Sequence, residues 1–267
     1  MATIPLGTTV LWTRTLTGNQ TDGSTLQADV ITAILADGWT FVSGTTYQSP
    51  TNAKGQKMQV TFTNSSTQFD IEAKESDGTG IDIRSMNVSV GNPCTIHTSS
   101  HGIHVQNIPP GTEEKIWTFF ANLEGTPGTV PTRGNTYIAG HRTSGGTPSQ
   151  WTNQMHSFRV HRFPSGIVST KQMISMRETW GGVITPHLYP DGSYRFTYAH
   201  MTGIETTGQG FWFGGMAPGV LIGPDLLADG TQGFQALLDQ GIEGTYEVME
   251  HGIHTSQNEV KFLLKTG

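Results

Sequence analysis

The sequence predicts a β-rich α+β protein: a small N-terminal unit with one helix on an antiparallel sheet, followed by a mainly antiparallel, sandwich-like β part. Three observations carry that expectation. The 267 residues include 39 threonines and 34 glycines. Threonine is β-branched and suits a pleated, half-wet surface, and glycine supplies the positive-φ turns between short strands. Several segments alternate apolar and polar residues, as a strand with one buried face requires. One segment near the N-terminus carries clear helical periodicity.

In chain order, Val10-Leu11-Trp12 and its flanking threonines read as a first strand, and residues 19–23 as a polar turn. Leu26, Val30, Ile31, Ile34 and Leu35 then recur at helical spacing, with Ser24 or Thr25 placed to cap the helix. Asp37-Gly38 ends it, because Gly38 can take the left-handed conformation that closes a helix. A helix of this length needs a sheet to pack on. Strands are expected at 39–42, 58–62, 69–73 and 81–83, with a turn at 76–80. Residues 1–92 therefore form the small α+β unit, Gly91-Asn92-Pro93 the joint, and 93–267 the β-rich domain.

In the second part, Ile116-Trp117-Thr118-Phe119-Phe120 reads as a central strand, and residues 125–134 and 143–149 as extended loops. Asp191-Gly192 between aromatic segments marks a hairpin over 188–196. Phe234, Leu237 and Leu238, with Thr231 as cap and Gly241 as stop, predict a short helix. Val260 to Leu264 reads as a closing strand.

Charged residues are 13% of the chain, about half the usual share. Uncharged side chains must therefore carry the polar surface. The net charge of −6 comes without a basic stripe, which argues against a nucleic-acid partner. A lone cysteine, Cys94, excludes an intramolecular disulfide and a cysteine-rich metal site. The N-terminus has no signal-peptide pattern, and no apolar run reaches the ~18 residues of a membrane helix. Synthesis in a cytoplasm with no membrane insertion is the expectation.

Four groups of residues invite a chemical reading. The tetrapeptide His-Gly-Ile-His occurs at His101–His104 and again at His251–His254. Imidazole is a common metal ligand, so His101, His104, His251 and His254 form one candidate metal set. Against it, positions three apart face opposite sides of a strand, and the glycine opposes a helix. Polar histidines at strand ends are the other reading. Cys94 lies near His97, but no nucleophile elbow accompanies them, and a buried packing cysteine is expected. Glu72, Glu75, Asp77 and Asp82, with Gly78 and Gly80, miss the EF-hand spacing and fit a hairpin turn. The run from Phe211 to Gly219 is the most unusual. It reads either as a contact surface made by Phe211, Trp212, Phe213 and Met216, or as a buried strand followed by a glycine-rich turn. No catalytic set and no cofactor are expected.

Two stretches carry a family likeness. Thr8 to Gly18, running into 26–44 with Ala36-Asp37-Gly38-Trp39, resembles the opening of structural proteins of tailed bacteriophages. Residues 103–125, an apolar–aromatic strand between Pro-Pro-Gly and Glu-Gly, resemble a later part of such proteins. The resemblance implies a virion location in the tail, baseplate or fibre apparatus, and many copies in a symmetric particle. Its partners would be other copies of the chain and other virion proteins, and it would do no chemistry. Two readings stand beside it. One is a receptor- or carbohydrate-binding module of the tail tip, meeting host surface glycan through its six Trp and six Tyr. The other is a glycan-degrading tail enzyme using paired carboxylates.

Overall fold

A computed structural model describes residues 10–52, 57–75, 82–107, 116–122, 137–142, 159–161, 197–204, 211–224, 234–237, 243–249 and 260–267. In chain order these form β1 (Thr13–Asn19), α1 (Gly23–Ala36), β2 (Thr40–Ser43), β3 (Thr46–Gln48), β4 (Met58–Asn64), β5 (Gln68–Glu75) and β6 (Asp82–Asn87). Next come β7 (Pro93–Ser99), β8 (Gly102–Asn107), β9 (Ile116–Asn122), β10 (Tyr137–Arg142) and β11 (Arg159–His161). The remaining strands are β12 (Thr197–Ile204), β13 (Phe211–Pro224), β14 (Phe234–Leu237), β15 (Glu243–Val248) and β16 (Val260–Lys265). They make three antiparallel sheets: a central one ordered β1-β7-β8-β9-β10-β11, an N-terminal one ordered β2-β3-β4-β5-β6, and a C-terminal one ordered β12-β13-β16-β15-β14. The protein is thus β-rich, with one helix among the described residues.

The helix starts where an acid can cap it. Asp22 sits in extended conformation, and its Oδ1 accepts from the Thr25 backbone N–H at 2.8 Å. Ser24 and Thr25, the expected caps, instead donate their hydroxyls to the same Oδ1, at 2.7 and 3.0 Å. A carboxylate is the stronger acceptor, and its charge is favoured at the positive end of the helix. The hydrogen bonds from Ser24, then those from Thr25, hold the Asp22 carboxyl below its usual range. At the far end Gly38 has φ 85°, and the Trp39 N–H returns to the Ile34 carbonyl at 3.1 Å. That positive φ is what the sequence demanded of a glycine there.

The helix buries Leu26, Val30 and Ile34 in a single core. Met58, Val60, Phe62, Phe69 and Ile71 enter it from the N-terminal sheet, and Cys94, Ile96, Ile103, Val105 and Phe120 from the central sheet. Each large apolar side chain removed from water there contributes about 1.5–3 kcal/mol. This core spans both sides of Gly91-Asn92-Pro93, and β1 pairs with β7 across the same point, Thr13 opposite Thr98.

The other face of the central sheet meets the C-terminal sheet at Trp12. The indole Nε1–H donates to the Pro218 carbonyl at 3.0 Å, and the Trp12 backbone N–H donates to the Lys265 carbonyl at 2.7 Å. The ring stacks on Phe119 with centroids 5.8 Å apart. Gly102 lies against it so closely that an added Cβ would strike the indole and the Phe120 carbonyl.

Two expected elements differ. The first strand starts later than expected: Val10-Leu11-Trp12 is not strand and pairing begins at the flanking Thr13, because the Trp12 amide is drawn to β16. The short helix expected at 234–238 is instead strand β14, with Phe234 opposite Tyr246. So short a helix is marginal on its own, whereas a hairpin partner supplies a full ladder of backbone bonds. The turn at 76–80, the loops at 125–134 and 143–149 and the hairpin at 188–196 lie outside the described residues.

Gly102→Ala is expected to lower stability by about 1–3 kcal/mol in urea unfolding, the usual cost of overpacking. An unchanged midpoint would show that the Trp12 ring yields freely. Asp22→Ala should lower the unfolding midpoint at pH 7 and lose that effect in strong acid. The depressed carboxyl stabilises the fold above its unfolded-state value and stops doing so once protonated. A midpoint difference that persists when both chains are protonated would argue against the capping role.

Candidate functional site

Two features stand out: a pair of sheet edges with exposed apolar side chains, and a row of charged and imidazole groups buried between sheets.

β1 is the outer strand of the central sheet and β2 the outer strand of the N-terminal sheet, among the described strands. β2 is exposed along its whole length, with Phe41 60% and Val42 41% accessible. The Phe41 ring meets the buried Tyr47 edge-on at 5.7 Å, so its outer side is left to solvent. Leu16 on β1 is 59% accessible. The Trp39 Nε1–H donates to the Ser99 carbonyl at 2.8 Å, and Thr13 donates to Asp37 Oδ1 at 3.3 Å. These bonds bring the start of β2 and the end of α1 to the start of β1. Leu11 and Leu35, both exposed, flank that junction. β2 carries no charge and no proline, and β1 carries one charge, Arg14. Lysine, proline and inward-pointing charge are the common means of blocking strand addition.

The Arg14 guanidinium is committed elsewhere. Its Nε lies 2.9 Å from Glu247 Oε1 on β15. The same oxygen is 3.3 Å from His97 Nε2, without the alignment of a hydrogen bond. His97 Nδ1 in turn faces His104 Nδ1 at 3.2 Å. Register explains the row: Arg14, His97, His104 and Phe119 are mutually paired across β1, β7, β8 and β9, so their side chains share one face. Aromatic rings close it, with Trp117 and Phe119 each 6.4 Å from the His104 ring. His97, His104 and Glu247 are all buried.

The two histidines of the first His-Gly-Ile-His have different surroundings. His101 occupies the turn between β7 and β8, its Nδ1 2.8 Å from Ser100 Oγ, whereas His104 joins His97. His251 and His254 lie outside the described residues. Among the described residues no three histidine, cysteine or acidic side chains form a group able to hold a metal. Phe211, Trp212, Phe213 and Met216 belong to β13, which pairs with β12 on both sides of a register shift at Gly214. The positive φ falls later, at Gly219 (68°), where an added Cβ would meet the Val10 carbonyl and Trp12. Ala217, Val220 and Leu221 of the same strand are buried. Glu72 and Asp82 sit on the adjacent strands β5 and β6, and Asp77 is outside the described residues.

Cys94 faces the helix-side core, on the opposite side of β7 from His97. Burial pushes its thiol up to about 12, against a smaller lowering by the Asn107 side chain. It cannot serve as a thiolate nucleophile at neutral pH. The His97–His104 pairing had a signal in the sequence, since the two residues lie equally far from the Ser100-His101 turn. Glu247 had none.

Comparison with known protein families, with curated proteins and with solved structures finds no match.

A thiol reagent is expected to leave Cys94 unlabelled in the folded chain at pH 7.5 and to label it fully in denaturant. Labelling of the folded chain within minutes, followed by mass spectrometry, would contradict the buried assignment.

Proposed function

We propose that this chain is a structural protein of a tailed-bacteriophage virion, in the tail or baseplate region, and that it works through subunit contacts without catalysis. The observation that carries the reading is the pair of nearly charge-free sheet edges, β1 and β2, with Leu16, Phe41 and Val42 exposed along them. An exposed edge offers unpaired N–H and C=O groups to any extended chain. On a freely diffusing protein that is an aggregation hazard. In an ordered particle a neighbouring copy, or another virion protein, covers it. The charge-poor surface fits the same reading, because dense symmetric packing places like surfaces side by side. In this reading the C-terminal strands stack on the central sheet in a sandwich-like manner and leave its β1 edge free for contacts.

The test is self-association of the purified chain by sedimentation velocity across a wide concentration range. The unaltered chain is expected to associate, and Phe41→Lys should weaken association by about tenfold, roughly 1.4 kcal/mol, while leaving circular dichroism unchanged. A chain that stays monomeric at high concentration and is missing from purified particles would overturn the proposal.

A further inference from the structure

We infer that copies of this chain join head to tail, the β1 edge of one central sheet taking the β11 edge of the next copy as its added strand. The inference rests on the open-edge reading above and names its partner: a second copy, met through a different surface.

The central sheet supplies the geometry. Its six described strands run β1-β7-β8-β9-β10-β11, each antiparallel to its neighbour. An even count leaves the two outer strands running in opposite directions. A copy laid beside another in the same orientation therefore sets β11 antiparallel to β1, and the ladder passes between copies without a parallel step. The lengths also agree. β1 pairs regularly with β7 over Thr13–Leu16 before a bulge, and β11 has three residues. So short a ladder adds little by itself, and the choice of partner falls to charge.

From Thr15 to Ala53 the chain has three aspartates and no Lys or Arg, and this stretch holds α1 and most of β1. Two of the three stand at the ends of the edge strand. Asp37 Oδ1 accepts from Thr13 Oγ1 at 3.3 Å, and Asp29 Oδ2 accepts from Gln20 Nε2, just past β1, at 2.9 Å. Arg14 does not offset them, because it lies in the row of His97 and is held by Glu247. From Gly125 to Arg177 the signs invert: six Lys or Arg and no Asp or Glu, in the stretch that holds β10 and β11. Register sets position 159 in the row of Ala139 and Phe120, on the α1 side of the sheet, and Arg162 follows β11 at once in the sequence. Joining β1 to β1 brings acidic stretch to acidic stretch, and β11 to β11 brings basic to basic. Joining β1 to β11 brings unlike charges together on one face, which is how charge selects a partner. Such a contact is heterologous. Each copy keeps one edge open, so growth passes the dimer toward a ring or a filament.

The experiment is sedimentation velocity on three full-length chains: the unaltered one, Asp37→Lys, and the double variant Arg159→Glu, Arg162→Glu. Lysine is favoured at a helix C-terminus, so the first variant keeps α1, and circular dichroism checks both. Each variant alone is expected to associate about tenfold more weakly than the unaltered chain, because like charges then meet. An equimolar mixture of the two should recover association, since each reversed edge finds its opposite on the other chain. Undiminished association of the double variant alone would overturn the head-to-tail contact, and so would a mixture no stronger than its parts. Either result leaves the wider reading of edge contacts standing, whereas an unaltered chain that never associates sinks both. If a variant does not fold, salt decides. Association of the unaltered chain should weaken between about 0.05 and 0.5 M salt, and equal strength at both would overturn the contact.

Discussion

Trp12 is the contact on which the arrangement of the central and C-terminal sheets depends. Its indole bonds to Pro218, 206 residues away, its backbone to Lys265, and its ring fills the space between Phe119 and Gly102. A buried indole needs a partner for its N–H, and only one carbonyl position satisfies it. That requirement fixes where β13 crosses the central sheet. It also explains two glycines that would otherwise look incidental. Gly102 and Gly219 lie on either side of the ring, where a side chain would collide with it.

The charge distribution follows the same division. Among the described residues threonine and serine supply much of the exposed polar surface, yet a carboxylate, a guanidinium and two imidazoles meet between the sheets. A buried ion pair is poor evidence of net stability, because desolvation offsets most of the attraction. Its value lies in geometry: Glu247 has satisfactory partners only when β15 sits over β1 and β7. The apolar core beneath α1 carries no such directional demand and supplies the bulk of the burial.

Much of the N-terminal part was legible from residue pattern. α1 announces itself by the spacing of Leu26, Val30 and Ile34 and by Gly38, and β4 and β5 alternate cleanly because one face of each is buried. The cap was misplaced by two or three residues because serine, threonine and aspartate are near-equal candidates until one knows which oxygen faces the helix. In the central sheet the alternation vanishes. β8 and β9 are covered on both faces, so Gln106, Asn107, Thr118 and Asn122 are as buried as their apolar neighbours. β14 read as helix because a four-residue strand has too few positions to show a period. The buried row was half legible: a hairpin brings His97 to His104, but Glu247 arrives from a distant sheet that no local pattern predicts.

The bond from Trp12 to Lys265 has a consequence in time as well as in space. A ribosome releases β1 long before it has made β16, and Trp12 cannot bond to Lys265 until residue 265 has emerged. Until then the indole, Phe119 and Gly102 form an open apolar seat, shielded by nothing of their own. Completion of this contact is thus tied to the synthesis of β16, with Trp12 as the residue that registers it. Fragments that stop short of β16 would keep the helix-side core and leave this seat unfilled.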